Sequence, residues 1–96
     1  MTLEVTVRFV GVLHEVFKKK RTKLKFGQSP TVKEIIEKLG GISAEARRRM
    51  LDPESNQIHP ALLILVNGRE VGALKGSKTL VEKEDEVVLI SVSHGG

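Results

Sequence analysis

Gly95 and Gly96 stand directly behind the apolar run Val87-Val88-Leu89-Ile90-Ser91-Val92 and the short polar tether Ser93-His94. Glycine has no Cβ, so a Gly-Gly pair passes through a narrow channel and takes backbone angles that other residues resist. An α-carboxylate carried on such a tail can be activated by ATP and handed to a sulfur or an amine nucleophile. Two glycines alone describe a frayed end. The apolar strand that delivers them is what makes the chemistry worth pursuing.

The remaining functional groups are few. There is no cysteine, hence no disulfide framework, no thiolate zinc site and no thiol nucleophile. His14, His59 and His94 lack metal-ligand spacing; they are read as surface residues, and no metal site is expected. No Ser-His-Asp set can be assembled. Gly40-Gly41 lacks the flanking pattern of a phosphate loop, and Gly72-Ala73-Leu74-Lys75-Gly76 lacks its Gly-Lys-Ser/Thr ending. The chain is therefore expected not to be an enzyme by itself and to bind no cofactor.

Charge is uneven about a net value of +4. Lys18, Lys19, Lys20, Arg21, Lys23 and Lys25 form one basic cluster, and Arg47, Arg48 and Arg49 a second. Glu82, Glu84, Asp85 and Glu86 make an acidic stretch. A solvated surface accounts for these runs. The competing reading is a basic module that docks on RNA or acidic partners. Single-strand platforms add stacking aromatics to their basic grooves. This chain has no Tyr or Trp, and Phe9, Phe17 and Phe26 read as core, so no direct nucleic-acid contact is expected.

Ninety-six residues make one domain, expected to span 1–96 with a flexible tail at 93–96. Nothing resembles a signal peptide, and no apolar run reaches the ~20 residues of a membrane span. A soluble, cytoplasmic protein with no membrane partner is expected. Leu3, Val5, Val7 and Phe9 alternate with polar residues, which predicts a half-buried strand. Gly11 suits a bend, and residues 14–17 a short turn tucking Leu13, Val16 or Phe17 beneath the sheet. Residues 22–26 alternate as a returning strand. Thr31 and Glu34 fit a capping box. Val32, Ile35, Ile36 and Leu39 then share one helical face. Gly40-Gly41 should end that helix through a left-handed residue. A shorter helix over 43–51 packs Ala46, Met50 and Leu51 and turns its arginines to water.

The unbroken apolar run 61–66 predicts a strand covered on both faces. Asn67-Gly68 predicts a tight hairpin turn. Residues 69–74 should form a short edge strand, Leu80 should point inward, and 87–92 should form the last strand. These elements describe an α+β fold, a β-grasp: a mixed sheet of four to five strands, one main crossing helix and a short second helix. First and last strands lie parallel at its centre. If Val87 and Leu89 face the helix, then Val88, Ile90 and Val92 line the open face. Such an apolar patch leading into the tail is a candidate partner-docking face.

The segments Ile58-His59-Pro60-Ala61-Leu62-Leu63-Ile64-Leu65-Val66-Asn67 and Glu84-Asp85-Glu86-Val87-Val88-Leu89-Ile90-Ser91, with the ending Ser93-His94-Gly95-Gly96, resemble the ubiquitin-like sulfur carriers. The ubiquitin-related modifiers are the nearest branch. The molybdopterin synthase small subunit, the thiamine-pathway sulfur carrier and the archaeal small modifier proteins are similar in outline. The resemblance implies that an ATP-using, ubiquitin-activating-like adenylyltransferase adenylates Gly96. A persulfide sulfur then converts Gly96 to a thiocarboxylate. Ser93, His94 and Gly95 thread into the partner, which supplies every catalytic group and the ATP site. The sulfur goes to a tRNA thiolation enzyme, or the tail forms an isopeptide bond with target protein lysines. The alternative is the small subunit of molybdopterin synthase, paired with its large subunit in molybdenum cofactor biosynthesis. That subunit carries a Pro-Pro pair where this chain has Ile90-Ser91-Val92-Ser93.

Overall fold

The alternating run near the start forms β1 (Leu3–Gly11), which buries Val5, Val7 and Phe9 and turns Glu4, Thr6 and Arg8 to the opposite face. The structure is a computed structural model describing residues 2–91, so Val92 and tail residues 93–96 lie outside it. Gly11 ends β1 at φ 73°, a left-handed angle that strains any residue with a Cβ. From there the chain enters a helix, α1 (Val12–Phe17), where a turn was expected. Leu13 is fully buried, and Phe17 stacks on Phe9 with ring centroids 4.2 Å apart. β2 (Arg21–Phe26) returns antiparallel to β1 and places Leu24 opposite Val5.

The helix α2 (Val32–Gly40) opens on the expected capping box. The Glu34 N–H donates to Thr31 Oγ1 at 3.2 Å, and the Thr31 N–H donates to Glu34 Oε1 at 2.8 Å. Two N-terminal donors that the helix cannot satisfy internally are thereby paired. Val32, Ile35, Ile36 and Leu39 are all fully buried. Thr31→Ala removes the acceptor and is expected to cost about 1 kcal/mol. In a domain of this size that is a fall in Tm of about 4–8 °C, measurable by calorimetry.

The end of α2 differs from expectation. Gly41 is right-handed at φ −75°, its N–H donating back to Glu37 O. Gly40 is buried within the helix, and a Cβ there would lie 3.3 Å from Arg47 Cγ. Close approach to the next helix, not a left-handed turn, is what this glycine permits. That helix, α3 (Ala44–Met50), is capped by Ser43 Oγ and buries Ala46 and Met50. Its arginines do not all face water freely. Arg47 donates to Asn56 Oδ1 at 3.0 Å, and Arg49 pairs with Glu45 at 3.6 Å.

β3 (Leu62–Val66) runs into Asn67 at φ 52° and Gly68 at φ 81°. Two consecutive positive angles are what a tight hairpin turn requires. The expected edge strand over 69–74 shrinks to β4 (Arg69–Glu70). Glu70 Oε2 accepts from the Gly72 N–H at 2.7 Å, and this bond curls the chain into the 3-10 turn Val71–Ala73 instead of extending the ladder. Leu80 is also corrected: it is 58% exposed, and its neighbour Val81 is fully buried. The Val32 N–H donates to Thr79 O and the Val81 N–H to Pro30 O, which turns Thr79 and Val81 inward and Leu80 out.

β5 (Glu86–Ser91) completes a five-stranded sheet of order β2-β1-β5-β3-β4. It is parallel to β1 and antiparallel to β3, the central position expected of the last strand in a β-grasp. Asn67 anchors its start. The Asn67 side chain donates to Asp85 Oδ1 at 2.8 Å and accepts from the Glu86 N–H at 2.9 Å. Val87 and Leu89 join the core beneath α2 and α3. Among the described residues no helix is long and apolar enough to cross a membrane.

Candidate functional site

Strand register brings the open face together. Arg8 on β1 and Leu65 on β3 flank Val88; Val10 and Leu63 flank Ile90. The first row continues outward to Arg21 on β2 and to Glu70 on β4. An apolar centre therefore lies between a basic edge and an acidic one. Lys23 and Lys25 extend the basic side along β2 and are exposed.

The expected docking residues divide. Ile90 is half-buried and presents side chain to the open face. Val88 is only 7% exposed yet stands apart from the main core cluster, so it is the floor of the patch. Val92, the third, lies outside the described residues, as do Ser93, His94, Gly95 and Gly96. Val10, Leu63 and Leu65 were missed as members of this face. The run 61–66 was expected to be covered on both sides. Instead, Leu62, Ile64 and Val66 are buried while Leu63 and Leu65 are half-buried, because helices pack on one face of the sheet only. Once one face of a strand is known to be open, parity alone identifies them.

Ser91, the last described residue, is held on both sides: Gly11 of β1 and Leu62 of β3 are its partners. Ser91 thus stands in the middle of the sheet, next to the Ile90 row. A shallow groove of about 320 Å³ lies at the same end of the sheet, lined in part by Arg8, His14, Lys20 and Arg21. His14 is half-buried in it, and His59 Nδ1 accepts from the Ala61 N–H at 3.0 Å, so neither is the plain surface residue expected. Among the described residues no cluster of His, Cys, Asp or Glu could hold a metal ion. The arrangement is a sheet with one apolar open face, whose central strand β5 carries both Ile90 and the last described residue, a form suited to being docked on.

This sheet order, with its parallel central pair and helical layer on one side, defines a ubiquitin-like β-grasp protein. The family model for Urm1, ubiquitin related modifier, matches residues 4–96, and the chain belongs to that family of ubiquitin-like sulfur carriers and modifiers. It is 27% identical to ubiquitin-related modifier 1 of Aspergillus oryzae, over 99% of this chain and 85% of that protein. The solution structure of Urm1 from Trypanosoma brucei matches with a TM-score of 0.75 and 26% identity, covering 99% of this chain and 97% of that one. The small archaeal modifier protein 1 of Methanosarcina acetivorans has the same fold: TM-score 0.85, 20% identity, all of this chain and 99% of the other.

Proposed function

We propose that this protein is a sulfur carrier whose Gly96 carboxylate is charged by a ubiquitin-activating-like enzyme. A carboxylate oxygen attacks the α-phosphorus of ATP and expels pyrophosphate, giving an acyl-adenylate. A persulfide sulfur on the partner attacks the acyl carbon, and AMP leaves. A partner thiol then cleaves the S–S bond, is oxidised to a disulfide, and leaves a thiocarboxylate on Gly96. The sulfur passes to a tRNA base through a thiolation enzyme. A lysine amine that attacks the activated acyl group instead forms an isopeptide bond.

One observation carries this reading. The apolar open face includes Val88 and Ile90 of β5, the strand clamped between β1 and β3, and that strand ends at Ser91, two residues before the tail in sequence. A partner that grips Ile90 thereby positions the tail, and fixing a reactive group before the chemical step is worth several kcal/mol of barrier. Ser93, His94 and Gly95 serve as the tether that threads into the active site, and Gly95-Gly96 present no side chain to obstruct it.

The test is the intact mass of the protein after incubation with ATP, an activating enzyme of this family and a persulfide donor. Replacement of one oxygen by one sulfur, localised to Gly96 by fragmentation, is the expected result. Unchanged mass, with no AMP released in the presence of the enzyme, defeats the proposal.

A further inference from the structure

A second surface lies at the opposite end of β5 from Ser91. The 3-10 segments after β4 and the end of β3 enclose a groove of about 530 Å³. Val66, Leu74 and Leu80 give it an apolar floor and wall, and Arg69, Lys75 and Lys78 stand around it. Among the described residues no carboxylate lines it, and none of these three cations forms a salt bridge. An exposed leucine alone means little. Here Leu80 is 58% exposed and is fixed in that position by the pairing of its backbone with Thr31. An apolar anchor point held by backbone pairing loses little freedom when something binds to it.

We propose that this groove is a docking site for an extended peptide segment of a partner protein in which acidic residues flank apolar ones. The apolar floor takes the alkyl side chains, and Arg69, Lys75 and Lys78 take the carboxylates. Nucleic acid fits less well, because among the described residues no aromatic ring lines the groove for a base to stack on. The site also leaves the carrier chemistry undisturbed. Val66 stands beside Val87 at the start of β5, and Ser91 lies four residues further on, about 13 Å away along the strand. A peptide seated here and an enzyme gripping Ile90 and the tail occupy opposite ends of the sheet. The protein can then be held by one partner while another charges it.

The probe is a fluorescein-labelled peptide, Asp-Glu-Leu-Ile-Leu-Asp-Glu, titrated into the full-length protein and followed by fluorescence anisotropy and by amide chemical shifts. Shifts confined to Arg69 and residues 74–80 are expected. Leu80→Ser and the double variant Lys75→Glu/Lys78→Glu should each weaken binding about tenfold or more. Both change exposed groups, and an unchanged amide spectrum elsewhere confirms that each variant is folded. Removal of Gly95 and Gly96 should leave the affinity unaltered. The inference is overturned by shifts centred on Ile90 and Leu63, by no binding at millimolar peptide, or by variants that bind like the parent. It is equally overturned if an oligouridylate displaces the peptide and binds the Leu80→Ser protein just as well, which would identify a polyanion surface.

Discussion

Leu89→Ala is expected to cost about 2–5 kcal/mol of folding free energy, whereas Ile90→Ala, one residue along the same strand, should cost well under half of that. Leu89 is fully buried at the centre of the sheet, beside Phe9 on β1 and Ile64 on β3. Truncation there leaves a cavity beneath α2 and α3 that neither neighbouring strand can close without breaking its register. Domains of this kind are stable by only about 5–15 kcal/mol, so a large fraction of the total is at stake. Ile90 is half-buried on the face that no helix covers, and its removal exposes little that water did not already reach. Urea denaturation of the two variants measures the difference directly. Equal losses would mean that the open face is packed as deeply as the core, and the division of β5 into a structural side and a docking side would fail.

That division was legible in the sequence for β5 but not for β3. The alternation of faces along β5 followed from assigning Val87 and Leu89 to the helix side, although Val88 between them is buried as well. The uniform run 61–66 has no such alternation, and only the helix count on each face of the folded sheet shows that Leu63 and Leu65 lie open. The α2 capping box was equally legible, because Thr31 and Glu34 bond to each other within one turn. The segment after the Asn67-Gly68 turn was not. Its course depends on the Glu70 carboxylate capturing the Gly72 N–H and on residues 79–81 pairing with residues 30–32, half the chain away. Periodicity assigned Leu80 inward; a long-range backbone pairing sends it out. Local chemistry can be read from a sequence, and irregular segments held by distant partners cannot. The acidic stretch shows both sides of this. It is exposed at Glu82 and Glu84 as a charged run should be, yet Asp85 bonds the Glu82 N–H and the Asn67 side chain and so fixes where β5 begins.

The second large effect separates docking from chemistry on the proposed carrier surface. Ile90→Asp is expected to lower the charging efficiency, kcat/KM for the carrier, by about 30-fold or more while the protein stays folded. An aspartate at the middle of the Val10–Ile90–Leu63 row must be desolvated whenever a partner covers that row. A central apolar contact of this kind commonly carries 2 kcal/mol or more of binding, and 1.4 kcal/mol corresponds to a factor of ten. The loss should fall on KM, because Gly96 itself is untouched. Deletion of Gly95 and Gly96 should do the reverse: no acyl-adenylate forms, yet the truncated protein still occupies the enzyme and inhibits charging of the intact one competitively. Pyrophosphate exchange driven by the activating enzyme reads both outcomes in one assay. If the truncated protein fails to compete while Ile90→Asp charges normally, recognition resides in the tail alone, and the open face of the sheet has some other use. If each variant fails in its own way, the sheet selects the enzyme and the tail does the chemistry. That is what the proposed carrier role requires, since a carrier charged by another enzyme influences the reaction by where it places its carboxylate.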